Sequence, residues 1–350
     1  MQRLYFKIII IFIILIGISI LLFYSLGIAK KSPQSLGNAS NTEIIQQNLT
    51  NSLNLSPLPT NPRIIALGAP AISILYALGY GDNIIARGSW DNWPPEIINK
   101  QDIGNPSNPN LELLLTLKPD VIFLDFHFHD LRYKLERLNF RIIPVHAYYQ
   151  QYLFETIKNI AKILNASLKA EILIKRLQGY QSLVQNRLAK VQVEQRKQGI
   201  FLVGNNTFFS FAKGSGQFFL EQSGLKNMAH DFSHDYPTIS REWLLYHQPD
   251  FLLFSTAINQ NTAHKRKKYL KQIYNTYQTN SSLKSIKAIK NNCIIINQEL
   301  TYGLNSFIGN IYLAKKLYPH LFEDIDADKI YNDFMLDFFN LKTQGINIYP

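Results

Sequence analysis

Residues 167–198 read SLKAEILIKRLQGYQSLVQNRLAKVQVEQRKQ. Ala170, Leu173, Ile174, Leu177, Tyr180, Val184, Leu188 and Val191 recur at three- and four-residue intervals, the spacing of one helix face. Ser167 can cap the start, and Gly199 offers a stop. A helix over the whole stretch makes a rod of roughly 45 Å at about 1.5 Å per residue. On both sides of it, short apolar runs alternate with helical patterns. The expected fold class is therefore α/β: two Rossmann-like lobes, each a mostly parallel sheet covered by helices, joined by one long α-helix.

Working outward, residues 63–150 read as the N-terminal α/β lobe, 151–198 as linking helices with the rod, and 199–350 as the C-terminal α/β lobe. The two halves share a layout, and no residue-level repeat relates them. Residues 30–62, rich in Ser, Asn, Thr, Gln and Pro, read as a flexible tether. Residues 1–29 read as a signal peptide or membrane anchor. Ile8–Ala29 carries no charge and follows Arg3 and Lys7, so the remainder is expected to be exported. Length favours a span, whereas Gly27-Ile28-Ala29 offers small residues for cleavage; both outcomes stay open.

Composition narrows the function classes. The chain has 350 residues, 46% of them apolar, which suits a large globular core rather than a polytopic membrane protein. Net charge is +11, but four of the positives flank the N-terminal apolar segment. The run His264-Lys265-Arg266-Lys267-Lys268 reads as a solvated helix face, and no nucleic-acid-binding motif accompanies it. Cys293 is the only cysteine, which excludes an intrachain disulfide and a thiolate metal cluster; it reads as a buried strand residue. There is no phosphate-binding glycine loop, nucleophile elbow or His-Glu-X-X-His helix, so no enzyme is expected.

Ligands of open α/β sheets bind beyond the carboxyl ends of the strands. Residues following the expected strands include Trp90, His127, His129, His146 and Tyr148 in the first half, and Asn205, Asn206, Phe208, Tyr236, Asn259 and Tyr302 in the second. Together they suggest an aromatic cleft for a flat or bulky ligand. In an extended segment His127 and His129 face the same way, so both are candidate metal ligands, with His146 and Tyr302 nearby in other loops.

Three segments carry a family resemblance: Arg63-Ile-Ile-Ala-Leu-Gly-Ala-Pro-Ala71; Asn108-Pro-Asn-Leu-Glu112 followed by Leu117-Lys-Pro-Asp-Val-Ile122; and Pro237-Thr-Ile-Ser-Arg-Glu-Trp-Leu244 followed by Pro249-Asp250. In this order, with a long helix between the second and third, the chain resembles the periplasmic substrate-binding proteins of iron-chelate and cobalamin (siderophore, haem) ABC importers. The resemblance implies a binding protein, not an enzyme. It would capture an iron chelate or a related metal-organic complex such as cobalamin, with no intrinsic cofactor, and deliver it to a permease dimer with ATPase subunits. It implies a periplasmic, monomeric protein, tethered if residues 8–29 are retained. It also implies that Glu112 and Glu242, one per lobe, dock on permease arginines, and that Trp90, Phe208 and Tyr236 resemble the aromatic cup of cobalamin-binding members. Many members carry a Pro- and Arg-containing segment where this chain has Tyr302-Gly303-Leu304-Asn305-Ser306, leaving Arg87 and Arg132 as cations for an anionic siderophore. The alternatives are a zinc-, manganese- or nickel-binding importer protein and, further off, a metal-dependent hydrolase using His127, His129 and Asp130.

Overall fold

Ile64–Leu67, four apolar residues with no exposed surface, form β1, the centre of the first sheet. A computed structural model describes residues 57–204, 208–258, 262–281, 283–343 and 346–350. The anchor segment, most of the tether, and Asn205, Asn206 and Asn259 lie outside the described residues. After β1 come α1 (Ala69–Ala77), β2 (Ile84–Arg87), β3 (Gln101–Asp102), α2 (Leu111–Leu117), β4 (Val121–Asp125), α3 (His129–Arg137) and β5 (Ile142–Val145). The sheet order is β3-β2-β1-β4-β5, all parallel. The strand order reverses between β1 and β4, the kind of position at which open α/β sheets place a ligand crevice at the carboxyl ends.

Two helices follow, α4 (Gln150–Ile163) and α5 (Ser167–Leu188). The rod is therefore 22 residues and about 33 Å long, not continuous to residue 198. Beyond Leu188 the helix stops, although Val191 still packs against the core. Val193 is 57% exposed in a short 3-10 turn, and Gln198 already belongs to a strand. Ser167 is inside the helix rather than capping it, and Gly199 lies within that strand.

The second sheet is built from β6 (Gln198–Val203), β7 (Phe208–Ser210), α6 (Gly214–Gln222), β8 (Lys226–Asn227), β9 (Thr238–Ile239), α7 (Arg241–His247), β10 (Phe251–Thr256), α8 (Ala263–Thr279), α9 (Lys287–Asn291) and β11 (Cys293–Asn297). α10 (Ser306–Leu317), α11 (Ala327–Phe339) and β12 (Ile348–Tyr349) close the chain. The strand order is β12-β11-β10-β6-β7-β9, with β8 also on β6. β6, β8, β10 and β11 are parallel, while β7, β9 and β12 add antiparallel edges. Cys293 is buried, as its apolar surroundings suggested, and burial pushes its thiol up to about 12. In α8, Lys265, Lys267 and Lys268 are exposed, while Arg266 turns inward and donates to Asn347 Oδ1 at 3.3 Å.

The halves do share a residue-level repeat. Asn110-Leu-Glu-Leu-Leu-Leu-Thr-Leu-Lys-Pro-Asp120 and Ser240-Arg-Glu-Trp-Leu-Leu-Tyr-His-Gln-Pro-Asp250 fold alike. Asn110 and Ser240 cap seven-residue helices by accepting from the amides of Leu113 (3.0 Å) and Trp243 (3.1 Å). Leu114 and Leu244 are fully buried, and Lys118 and Gln248 end each helix in the left-handed region. Asp120 then accepts from the amide of Arg63 (2.7 Å) and Asp250 from that of Gln198 (2.9 Å), tying each module to its central strand. Only the cap type, one Glu, two Leu and Pro-Asp recur, too sparse a pattern to stand out in an apolar background.

One apolar core runs through both sheets. It joins Ile64 and Phe123 through Leu173, Leu177 and Val184 of α5 to Phe201, Ile294 and much of α10. Across the seam, Gln150 Nε2 donates to Asn310 Oδ1 (2.8 Å), and Asn310 Nδ2 donates to the Phe219 carbonyl (2.9 Å) and to Ser223 Oγ (2.8 Å). Shearing the lobes would expose this core and break buried hydrogen bonds. Ligand addition should therefore change the radius of gyration by less than about 1 Å in small-angle scattering. A compaction of several ångströms would contradict a rigid seam.

Candidate functional site

The carboxyl ends of β4 and β5 meet those of β6, β10 and β11 across a cavity of about 280 Å³. His127 and Tyr148 come from the first half. Phe201, Val203, Phe211, Ser215, Gly216, Tyr236, Ser255, Gln298, Thr301 and Tyr302 come from the second. Of the expected site residues, His127, Tyr148, Tyr236 and Tyr302 line this cavity. Tyr148 and Tyr302 meet across it with ring centroids 5.2 Å apart. Tyr236 stands edge-on to Phe211 at 5.6 Å. The Phe211 ring lies where only a glycine leaves room, because a Cβ on Gly216 would fall 2.2 Å from it.

The other candidates lie elsewhere. Phe208 is 5% exposed and packs on Phe254 in the second-sheet core. Strand alternation turns Phe208 and Ser210 inward and Phe209 outward, so Phe208 cannot face the cleft. Trp90 is 64% exposed and does not line the cavity. His127 lines the cavity and His129 does not: the backbone turns at Phe126-His127, and His129 already begins α3. Arg87 donates to the carbonyls of Ile97 and Gly88 and pairs with Asp102, and Arg132 pairs with Glu136; neither lines the cavity. Among the described residues no Lys or Arg does so, and no three His, Cys, Asp or Glu side chains are grouped to hold a metal ion. The direct zinc site and the hydrolase site thus have no converged ligand set among the described residues.

Phe201, Val203, Phe211, Ser215, Gly216, Gln298 and Thr301 were not anticipated. The usable signal was positional: Val203 ends β6, and Gln298–Thr301 is the turn directly after β11.

Electrostatics separate the floor from the walls. Asp125, at the end of β4, is 3% exposed; its Oδ1 accepts from the His127 amide at 2.9 Å and lies 2.7 Å from His127 Nδ1. Burial raises the phenols of Tyr148 and Tyr302 far above their ordinary range, helped by nearby carboxylates, so both stay neutral donors. His146, just past β5, is 4% exposed beneath Phe126, stacked at 4.7 Å, and neither ring nitrogen has a hydrogen-bond partner.

Burial, with the charges of Arg132, His127 and His129 behind it, lowers His146 to about 4. The folded protein therefore binds this proton less readily than the unfolded chain. The associated stability is present above pH 6.5 and is lost as pH falls towards 4, by about 2–3 kcal/mol. His146→Leu should flatten that part of the stability–pH curve in denaturant titrations. An unchanged slope between pH 6.5 and 4 would show that His146 is not the group responsible.

A sequence model of the periplasmic binding protein family matches residues 64–299, spanning both sheets and the cleft. The chain belongs to that family. A vitamin B12-binding protein of Vibrio cholerae serotype O1 is 28% identical over 211 residues, 59% of this chain and 75% of the relative. Among solved structures, molybdate-bound MolA of Haemophilus influenzae superposes with a TM-score of 0.68 at 20% identity, covering 84% of this chain and 98% of MolA. FepB of Veillonella parvula, a TroA-like periplasmic binding protein, gives 0.67 at 20% identity, covering 84% and 95%. At such identities the structural likeness establishes the two-lobe fold. Within this periplasmic binding protein, the cavity lies where open α/β sheets bind their ligands.

Proposed function

We propose that this protein is the exported substrate-binding component of an ABC importer, that its cleft captures a metal-organic chelate, and that Glu112 and Glu242 dock it on the permease. The carrying observation is the wall chemistry. One imidazole and three phenols from both halves face a single cavity, with no Lys or Arg among its described lining. Phenol and aromatic faces suit a flat, largely neutral organic framework, and the absence of cations disfavours a strongly anionic one. At about 280 Å³ the cavity accepts only part of a large chelate, the remainder lying at the mouth between the lobes. The name of one relative, vitamin B12-binding protein, is in keeping with this class.

A second reading, a small oxyanion, draws on the same volume and on Ser215 and Gly216 at the amino end of α6, and MolA binds molybdate. Fluorescence titration with haemin, cobalamins, ferric chelates and molybdate separates the two. Saturable one-to-one quenching by a chelate supports the first, and binding of molybdate alone overturns it. The single-lobe positions of Glu112 and Glu242, each in the first turn of a repeated capped helix and exposed, support the docking role.

A further inference from the structure

We propose that the exposed face of α8, with the turn and helix that follow it, is a contact surface for anionic phospholipid headgroups. The inference is independent of which ligand the cleft takes.

The charge is concentrated in one segment. Residues 251–298 hold eight Lys and Arg and no Asp or Glu, in a chain whose whole net charge is +11. With four other positives flanking the N-terminal apolar segment, the remainder is close to neutral. In α8, Lys265, Lys267, Lys268 and Lys271 are exposed, while Arg266 turns inward with Leu270 and Tyr277. At about 100° per residue, the four lysines share one half of the helix circumference. Gln278 Nε2 of α8 donates to the Ile289 carbonyl of α9, and the turn between them and α9 itself add Lys284, Lys287 and Lys290, also exposed. Among the described residues none of these seven lysines pairs with a carboxylate.

Helix stability does not account for this arrangement. α8 has no acidic residue in its first turn, and its lysines crowd the amino-terminal half, where the helix dipole disfavours cations. Lys267 and Lys268 lie four and three residues before Lys271, spacings at which like charges repel. A face that costs its own helix and carries no neutralising charge calls for a negative partner.

The chemistry of the face selects that partner. The exposed positions of α8 are all polar, without the aromatic and arginine anchors that carry protein interfaces, where lysine is depleted. Nucleic-acid binding would add stacking aromatics or a reading motif, and the exposed face presents neither. Ammonium groups on flexible stems around a convex helix suit a diffuse plane of phosphates rather than one converging site. The uncharged run 8–29, which reads as a signal peptide or anchor, brings the chain to a membrane during export. The Lys287 amide donates to Gln248 Oε1 (3.1 Å) at the end of α7, so the basic surface reaches the helix that carries Glu242. A lobe resting on lipid through this face keeps that helix near the bilayer.

The test places a fluorophore on Gln272→Cys, an exposed position of α8, in the full-length chain; the native Cys293 is buried. The protein is combined with vesicles of phosphatidylcholine alone, or with an equal part of phosphatidylglycerol, each doped with a headgroup-nitroxide lipid. Quenching is expected on the mixed vesicles only. Salt at about 1 M should abolish it, because the Debye length falls to about 3 Å. Changing Lys265, Lys267, Lys268 and Lys271 together to Gln should lower the equilibrium constant for contact about 100-fold or more, at roughly fivefold per lysine, and the quenching with it. Changing the exposed Lys158, Lys162, Lys175 and Lys190 to Gln removes the same charge from elsewhere and should leave the quenching intact. Equal quenching on both compositions, equal loss in both variants, or quenching that survives the α8 substitutions overturns the inference. So does a lack of quenching on mixed vesicles, even where the chain is retained by polyphosphate or an acidic peptide. None of these results bears on the chelate reading, which is titrated without vesicles.

Discussion

Glu112→Ala combined with Glu242→Ala should abolish uptake in cells while the isolated protein binds its ligand with unchanged affinity. The repeat places both carboxylates in the first turn of capped helices, exposed and outside the cavity. Losing them there weakens each helix by only about 0.3–1 kcal/mol, so the fold persists. A docking charge desolvated against a cation is a larger matter. Truncating one partner costs about 2–5 kcal/mol, so two such losses remove productive engagement. Each single variant should give intermediate uptake, and Glu→Lys should be more damaging than Glu→Ala because it adds repulsion. Ligand affinity by titration and uptake of labelled ligand are measured on the same variants. Normal uptake by the double variant would end the docking role.

Gly309→Ala should destabilise the protein by about 3 kcal/mol or more and weaken ligand binding with it. Gly309 is in α10, which is buried along most of its length in the seam between the halves. A Cβ there would fall 1.9 Å from the Leu300 carbonyl oxygen and 2.9 Å from its carbon. Both are main-chain atoms, so no side-chain rotation relieves the contact. Leu300 belongs to the turn that presents Gln298, Thr301 and Tyr302 to the cavity, so displacement of that turn reaches the ligand site. Gly179→Ala in α5 is the control: nothing lies within 4 Å, and relief of glycine's entropy in a helix should stabilise by about 0.5–1 kcal/mol. Thermal melts of the two variants should move in opposite directions. Equal melting temperatures for Gly309→Ala and the wild type would show that α10 shifts freely.

Helices α2 and α7 carry their own local signals, because capping residue, apolar phase and the Pro-Asp stop all lie within one short window. Helix α5 was legible in existence and face but not in length. Val191 keeps the three-residue interval and still packs against the core, yet it does so from outside the helix, which the chain leaves after Leu188. The repeat around Glu112 and Glu242 was present in the residues all along and became visible only through matching hydrogen bonds.

What the amino-acid order alone determined is the alternation of apolar strands and helices, the linking helix with its buried face, and the loops from which a ligand site must be drawn. Period and capping are short-range properties, written within a turn or two of chain. Which loop residues meet was settled only by tertiary structure. Phe208 went to the core and His129 to a helix start, while His127 gained a buried carboxylate partner and Tyr302 a place opposite Tyr148. The Tyr148–Tyr302 and Phe208–Phe254 contacts depend on strand register and join segments distant in sequence, while the His127–Asp125 pair is local but gains its burial from the sheet around it.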